Sequence, residues 1–161
     1  MKTPVVQPGV EWAVLALCLW QSADLATAWQ HSPFDRLGWL ALGIWLVPAL
    51  IAAFVQHLPS TSPARTSWRA WTALALDLSG GLLGMHVLMH GALAFAFAAV
   101  APAFRRRNLW LLLALCWMPA LGWLMRGLSP VGVVALRLGL ASAAVWLSAG
   151  PVRLARRASF R

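Results

Sequence analysis

His86 and His90 stand four residues apart, so on a helix both imidazoles would share one face, with Met85 and Met89 beside them. Imidazole and thioether donors suit haem iron, copper or another transition metal, which makes His86 and His90 the candidate metal ligands of the chain. His31 is a candidate third ligand whose position the sequence does not fix. Near a helix end the same histidines would also serve as plain interfacial polar groups with no metal at all.

Two further groups stand out because their surroundings are so apolar. Asp77 and Arg137 each interrupt a long hydrophobic run, and ionisable residues in such runs are rare and usually paired. An Asp77–Arg137 ion pair is therefore the expected structural tie, the alternatives being a protonated Asp77 or an Arg137 that reaches the interface. Cys18 and Cys116 also fall inside apolar runs without any C-x-x-C spacing, which points to buried thiols and away from disulfides or zinc. The chain has no G-x-x-x-x-G-K, no H-E-x-x-H, no nucleophile elbow and no paired carboxylates, and Gly80-Gly81-x-x-Gly84 sits in lipid-like surroundings that do not suit a phosphate.

The elements that must position these residues follow from composition. Of 161 residues, 61% are hydrophobic and only 11% charged, against about 25% charged in ordinary soluble domains, so the expected class is an all-α polytopic membrane bundle. Spans are expected at about 12–29, 37–56, 68–84, 86–104, 109–125 and 131–150, all within one membrane domain. The first run reads as a retained span, since no small-x-small cleavage site follows it. His57 to Ser67, rich in Pro, Ser and Thr, is the clearest loop, and Arg105-Arg106-Arg107-Asn108 is a sharp polar stop. Seven of the tryptophans, Trp12, Trp29, Trp39, Trp68, Trp71, Trp110 and Trp123, lie near span ends as an interfacial belt would.

Trp71 to Phe104 decides the threading, because one helix of that length would far overshoot a hydrocarbon core of about 30 Å. As a single kinked span it would leave five spans, with Lys2, Arg65, Arg69 and Arg126 on one side and eight arginines on the other. As a hairpin turning between Gly80 and Gly91, it leaves only Arg36 and Arg126 opposite all the other loop cations. The positive-inside rule selects the hairpin, with six spans and both termini cytoplasmic. That threading puts Asp24, His31, Asp35, Arg36, His86, His90 and Arg126 toward the extracytoplasmic side of a bacterial inner membrane. The net charge of +9 then reflects topology and contact with anionic lipid through Arg105, Arg106, Arg107, Arg153, Arg156 and Arg157, with no role for nucleic acid.

Asp24-Leu25-x-x-Ala28-Trp29-x-x-Ser32-Pro33 leading to Gly38, the basic stop at Arg105 to Arg107, the span Leu109 to Leu124 with Met118-Pro119, and the ending Ser148-Ala149-Gly150-Pro151-Val152 have a recognisable order. It resembles the N-terminal transmembrane part of the exosortase and archaeosortase family, polytopic enzymes that process C-terminal sorting signals at the cell surface. The family's nucleophilic cysteine lies in a small-residue setting expected beyond Arg161, and neither Cys18 nor Cys116 matches it. The resemblance thus implies a non-catalytic accessory or scaffold subunit of an envelope sorting or export system, with no catalytic residue transferred and other membrane proteins as partners. An active membrane enzyme with an extracytoplasmic site including Arg126 is the alternative of that kind. His86-x-x-x-His90 followed by Ala101-Pro102 is similar to a helix in copper-related assembly factors of cytochrome oxidase, which implies haem or copper handling instead.

Overall fold

A computed structural model describes residues 8–55, 68–101 and 106–149. These form α1 (Pro8–Gln21), α2 (Asp24–His31), α3 (Gly38–Val55), α4 (Trp68–Leu83), α5 (His86–Val100), α6 (Arg107–Leu112), a 3₁₀ turn (Leu113–Cys116), α7 (Pro119–Leu124) and α8 (Pro130–Ala149), with no strand among the described residues. Pro130–Ser148 is long and apolar enough to cross a membrane by length and composition. Gly9–Gln21, Gly38–Phe54, His86–Val100 and Arg107–Cys116 are shorter apolar helices.

The central stretch is two helices folded back on each other. Gly84 takes the left-handed conformation at φ +64°, and the Met85 amide donates to the Gly80 carbonyl at 2.8 Å, closing α4 with a Schellman turn. α5 then packs along α4, and α1 lies against both. Gly80 permits this approach, since a Cβ there would stand 2.7 Å from Met89 Cγ and 3.0 Å from its backbone nitrogen.

α3 and α8 form the second half, with the broken segment from α6 to α7 packed against them. Pro119 carries no N–H, so the helix begun at Arg107 tightens to 3₁₀ geometry and stops at Trp117–Met118, and α7 restarts with Pro119 at its first turn. Trp45 and Trp110 join the halves of this unit. Their rings stack at 3.9 Å, and each indole donates to the other's backbone carbonyl, at 2.8 and 2.7 Å. Trp110 is thus core and not belt, while Trp29 is half-buried and donates to the Trp117 carbonyl at 3.0 Å. Trp12, Trp39, Trp68, Trp71 and Trp123 are exposed.

The chain reverses so that its polar groups gather at two ends. One end, the histidine end, holds the α1–α2 turn, the 32–37 connector, the Gly84–Met85 turn and the α7–α8 turn. The other, the arginine end, holds the starts of α1, α4 and α6, where Arg69 Nη2 donates to Asn108 Oδ1 at 2.7 Å.

Candidate functional site

α1 stops at Gln21, turns at Ser22–Ala23 and restarts as α2 with Asp24, whose carboxylate suits a helix N-terminus. His86 opens α5 and His90 follows one turn later. The three side chains meet. Asp24 Oδ2 lies 2.9 Å from His86 Nδ1 and 3.2 Å from His90 Nε2, and Asp24 Oδ1 lies 3.3 Å from the same Nε2. The cluster runs inward from solvent, with the His86 side chain 63% exposed, Asp24 35% and His90 4%.

A carboxylate only accepts, so His86 donates from Nδ1 and His90 from Nε2. His90 Nδ1 is then a buried lone pair without a partner. A metal in this place would need the protons moved away from Asp24, putting the His90 proton on Nδ1, where no acceptor stands. Among the described residues no group of three or more His, Cys, Asp or Glu is arranged to hold a metal ion. His31 turns to its own helix, with Nδ1 at 2.9 Å from the Thr27 carbonyl, and Met89 packs against Gly80. The residues fit a hydrogen-bonded tie between α2 and α5 better than a metal centre. Ser22 reinforces it, its hydroxyl donating to the Met89 carbonyl at 3.4 Å.

Asp24→Ala is expected to lower stability by about 1–3 kcal/mol, because His90 is left buried with both ring nitrogens unsatisfied. Thermal unfolding of the purified protein measures this, and Asp24→Asn, which keeps an acceptor, should lose less.

The expected Asp77–Arg137 pair is not formed. Arg137, fully buried on α8, places Nη2 2.7 Å from Asp35 Oδ1 and donates through Nη1 to the Cys116 and Met118 carbonyls at 2.9 and 3.2 Å. Those carbonyls are available because the helix breaks there. Gly122 makes room for the acid, as a Cβ at that position would stand 2.7 Å from Asp35 Oδ1. Asp77 faces α1 instead, accepting from Gln21 Nε2 at 2.8 Å with Cys18 beside it. Its Oδ1 is buried without a partner. Both free thiols, Cys18 and Cys116, are completely buried.

The sequence placed Asp24 and Asp35 at the right end but did not join them to His90 and Arg137. Threading gives depth, and the missing information was which helix faces each connector. Arg126 is exposed on the α7–α8 turn. Of the arginines expected to meet anionic lipid, Arg106 is exposed and Arg107 half-buried, whereas residues 105, 153, 156 and 157 lie outside the described residues.

The chain matches no family model, no curated protein and no solved structure.

Proposed function

We propose that this is a six-span protein of a bacterial inner membrane, with both termini cytoplasmic, serving as a non-catalytic accessory or scaffold subunit of an envelope sorting or export system. The membrane part rests on the outward surface. Phe54 and Leu82 are 87% and 88% exposed, and Trp20, Val131 and Trp146 are nearly as bare, an apolar exterior that suits lipid and not water. α4 and α5, at 16 and 15 residues, are short for a core of about 30 Å, which thinning of the bilayer or polar ends reaching the interface accommodates. The arginine end would face the cytoplasm and the histidine end the outside.

One observation carries the non-catalytic reading. The groups that could do chemistry are engaged in holding helices together: Asp24 spans two histidines, Asp35 neutralises Arg137, and both thiols are sealed inside. The sorting role rests on the likeness to the transmembrane part of the exosortase family. In cells lacking this chain, surface display of proteins with C-terminal sorting signals should fall, and the Cys18→Ala/Cys116→Ala variant should restore it. An unchanged display would end the sorting role. Failure of the variant at normal protein levels would end the non-catalytic one.

The convergence of Asp24 with His86 and His90 favours a second reading, a haem- or copper-handling protein, in which these side chains would give up their shared protons to solvent and hold a metal in their place. Stoichiometric copper or a Soret band in the purified protein would establish it in place of the first.

A further inference from the structure

At the arginine end, α1, α4 and α6 bring three charged side chains together. Arg69 on α4 lies over Trp68, its guanidinium carbon 4.9 Å from the ring centroid, and is steadied by Asn108. Arg107 opens α6 immediately before Asn108, the residue that Arg69 contacts, so the two guanidiniums share this end of the molecule, with Glu11 of α1 partly offsetting the charge on Arg107. The Arg107 pKa is pushed down to about 10, first by burial and then by Arg69. The Nε atoms of both arginines are shielded from solvent and have no partner among the described residues.

Two guanidiniums of like charge thus meet at one end of the bundle, each with only part of its donor set used among the described residues. Each offers terminal N–H groups suited to phosphate or carboxylate oxygens, and an oxyanion between them would offset the like charge. The surroundings select the kind of anion. Trp68 and Trp71, within two residues of Arg69 on α4, are exposed, as is Leu112 at the far end of α6, so exposed apolar side chains that acyl chains could cover stand on the same two helices as the arginines.

We propose that Arg69 and Arg107 form a binding site for the phosphate of one anionic phospholipid of the cytoplasmic leaflet. The site ties α4 to α6 through the lipid, across the segment that joins the hairpin to the second half of the molecule. It differs from a diffuse basic surface because it has defined donors and a single occupant. It rests on the membrane reading above.

The full chain, purified in mild detergent, is titrated with phosphatidylglycerol or phosphatidylcholine and followed by native mass spectrometry. One phosphatidylglycerol should be held about tenfold or more tightly than phosphatidylcholine, and Arg69→Gln/Arg107→Gln should abolish the preference. Arg126→Gln, at the opposite end, should keep it. Because the double glutamine variant could unfold, its melting is measured in parallel. Arg69→Lys/Arg107→Lys, which retains charge but loses the forked donors, should keep only part of the preference. Equal binding of the two lipids by the natural sequence, or full preference in the lysine pair, would overturn the site. Release of the lipid by millimolar inorganic phosphate would overturn its assignment to a lipid. Retention in the membrane pellet after an alkaline carbonate wash, with no lipid preference, would show that the inference fails while the membrane reading stands.

Discussion

Asp35→Asn is expected to cost the protein about 3–5 kcal/mol, because it leaves the Arg137 guanidinium buried without its counter-ion. A large drop in thermal stability in detergent would report it. The pairing can be tested more sharply by a double-mutant cycle. Removing both charges, in Asp35→Asn/Arg137→Gln, should recover part of the loss, giving a coupling of about 1–3 kcal/mol. Recovery should stop short of full, since Arg137 also holds the carbonyls of Cys116 and Met118. The same cycle between Asp77 and Arg137 should show coupling below about 0.5 kcal/mol, as their partners differ. Strong coupling of Asp77 to Arg137 would mean that α4 and α8 are packed differently from this fold.

Trp110→Ala should be comparably severe. The residue is 1% exposed, and its loss opens a cavity against Trp45 while removing the indole hydrogen bond to the Trp45 carbonyl. Truncation of a buried aromatic of this size costs about 3–5 kcal/mol. Trp110→Phe keeps a ring to stack on Trp45 but loses the bond from its own indole, and should cost about 1 kcal/mol from that bond plus a packing term. A near-silent Trp110→Ala would place this ring in the interfacial belt, where the sequence pattern had put it.

That contrast shows what hydrophobic patterning can and cannot convey. Tryptophan near the end of an apolar run fits both a lipid-facing belt and a core stack, because either environment is apolar with one donor to satisfy. Only the position of the α3 backbone, which supplies the Trp45 carbonyl, distinguishes them. The fold-back was legible because glycine at Gly84 can take the left-handed turn that ends α4 at little cost, and it lies within the Gly80–Gly91 window. The break before Pro119 was half-legible. Proline marked the place, but the gain of two carbonyls for Arg137 depends on a helix remote in sequence.

The same limit applied to the charged residues. Depth along a span follows from counting, so Asp24, Asp35, His86 and His90 could be assigned to one end. Rotation about each helix axis does not follow from so uniformly apolar a sequence, in which no face is marked polar. The turn at Ser22–Ala23, unannounced by glycine or proline, swings Asp24 over His90, and the 32–37 connector carries Asp35 to Arg137. Asp77 and Arg137 consequently belong to different halves of the molecule.

The proposed threading would send the histidine end outward and the arginine end inward. Alkaline phosphatase and green fluorescent protein fused in turn after Ser62, Gly84 and Ser129 test it most directly. Fluorescence without phosphatase activity is expected at Ser62, and phosphatase activity without fluorescence at Gly84 and Ser129. Fluorescence at Gly84 would contradict it, since Trp71 to Phe104 would then not reach the outer face and the Asp24–His86–His90 cluster would lie elsewhere.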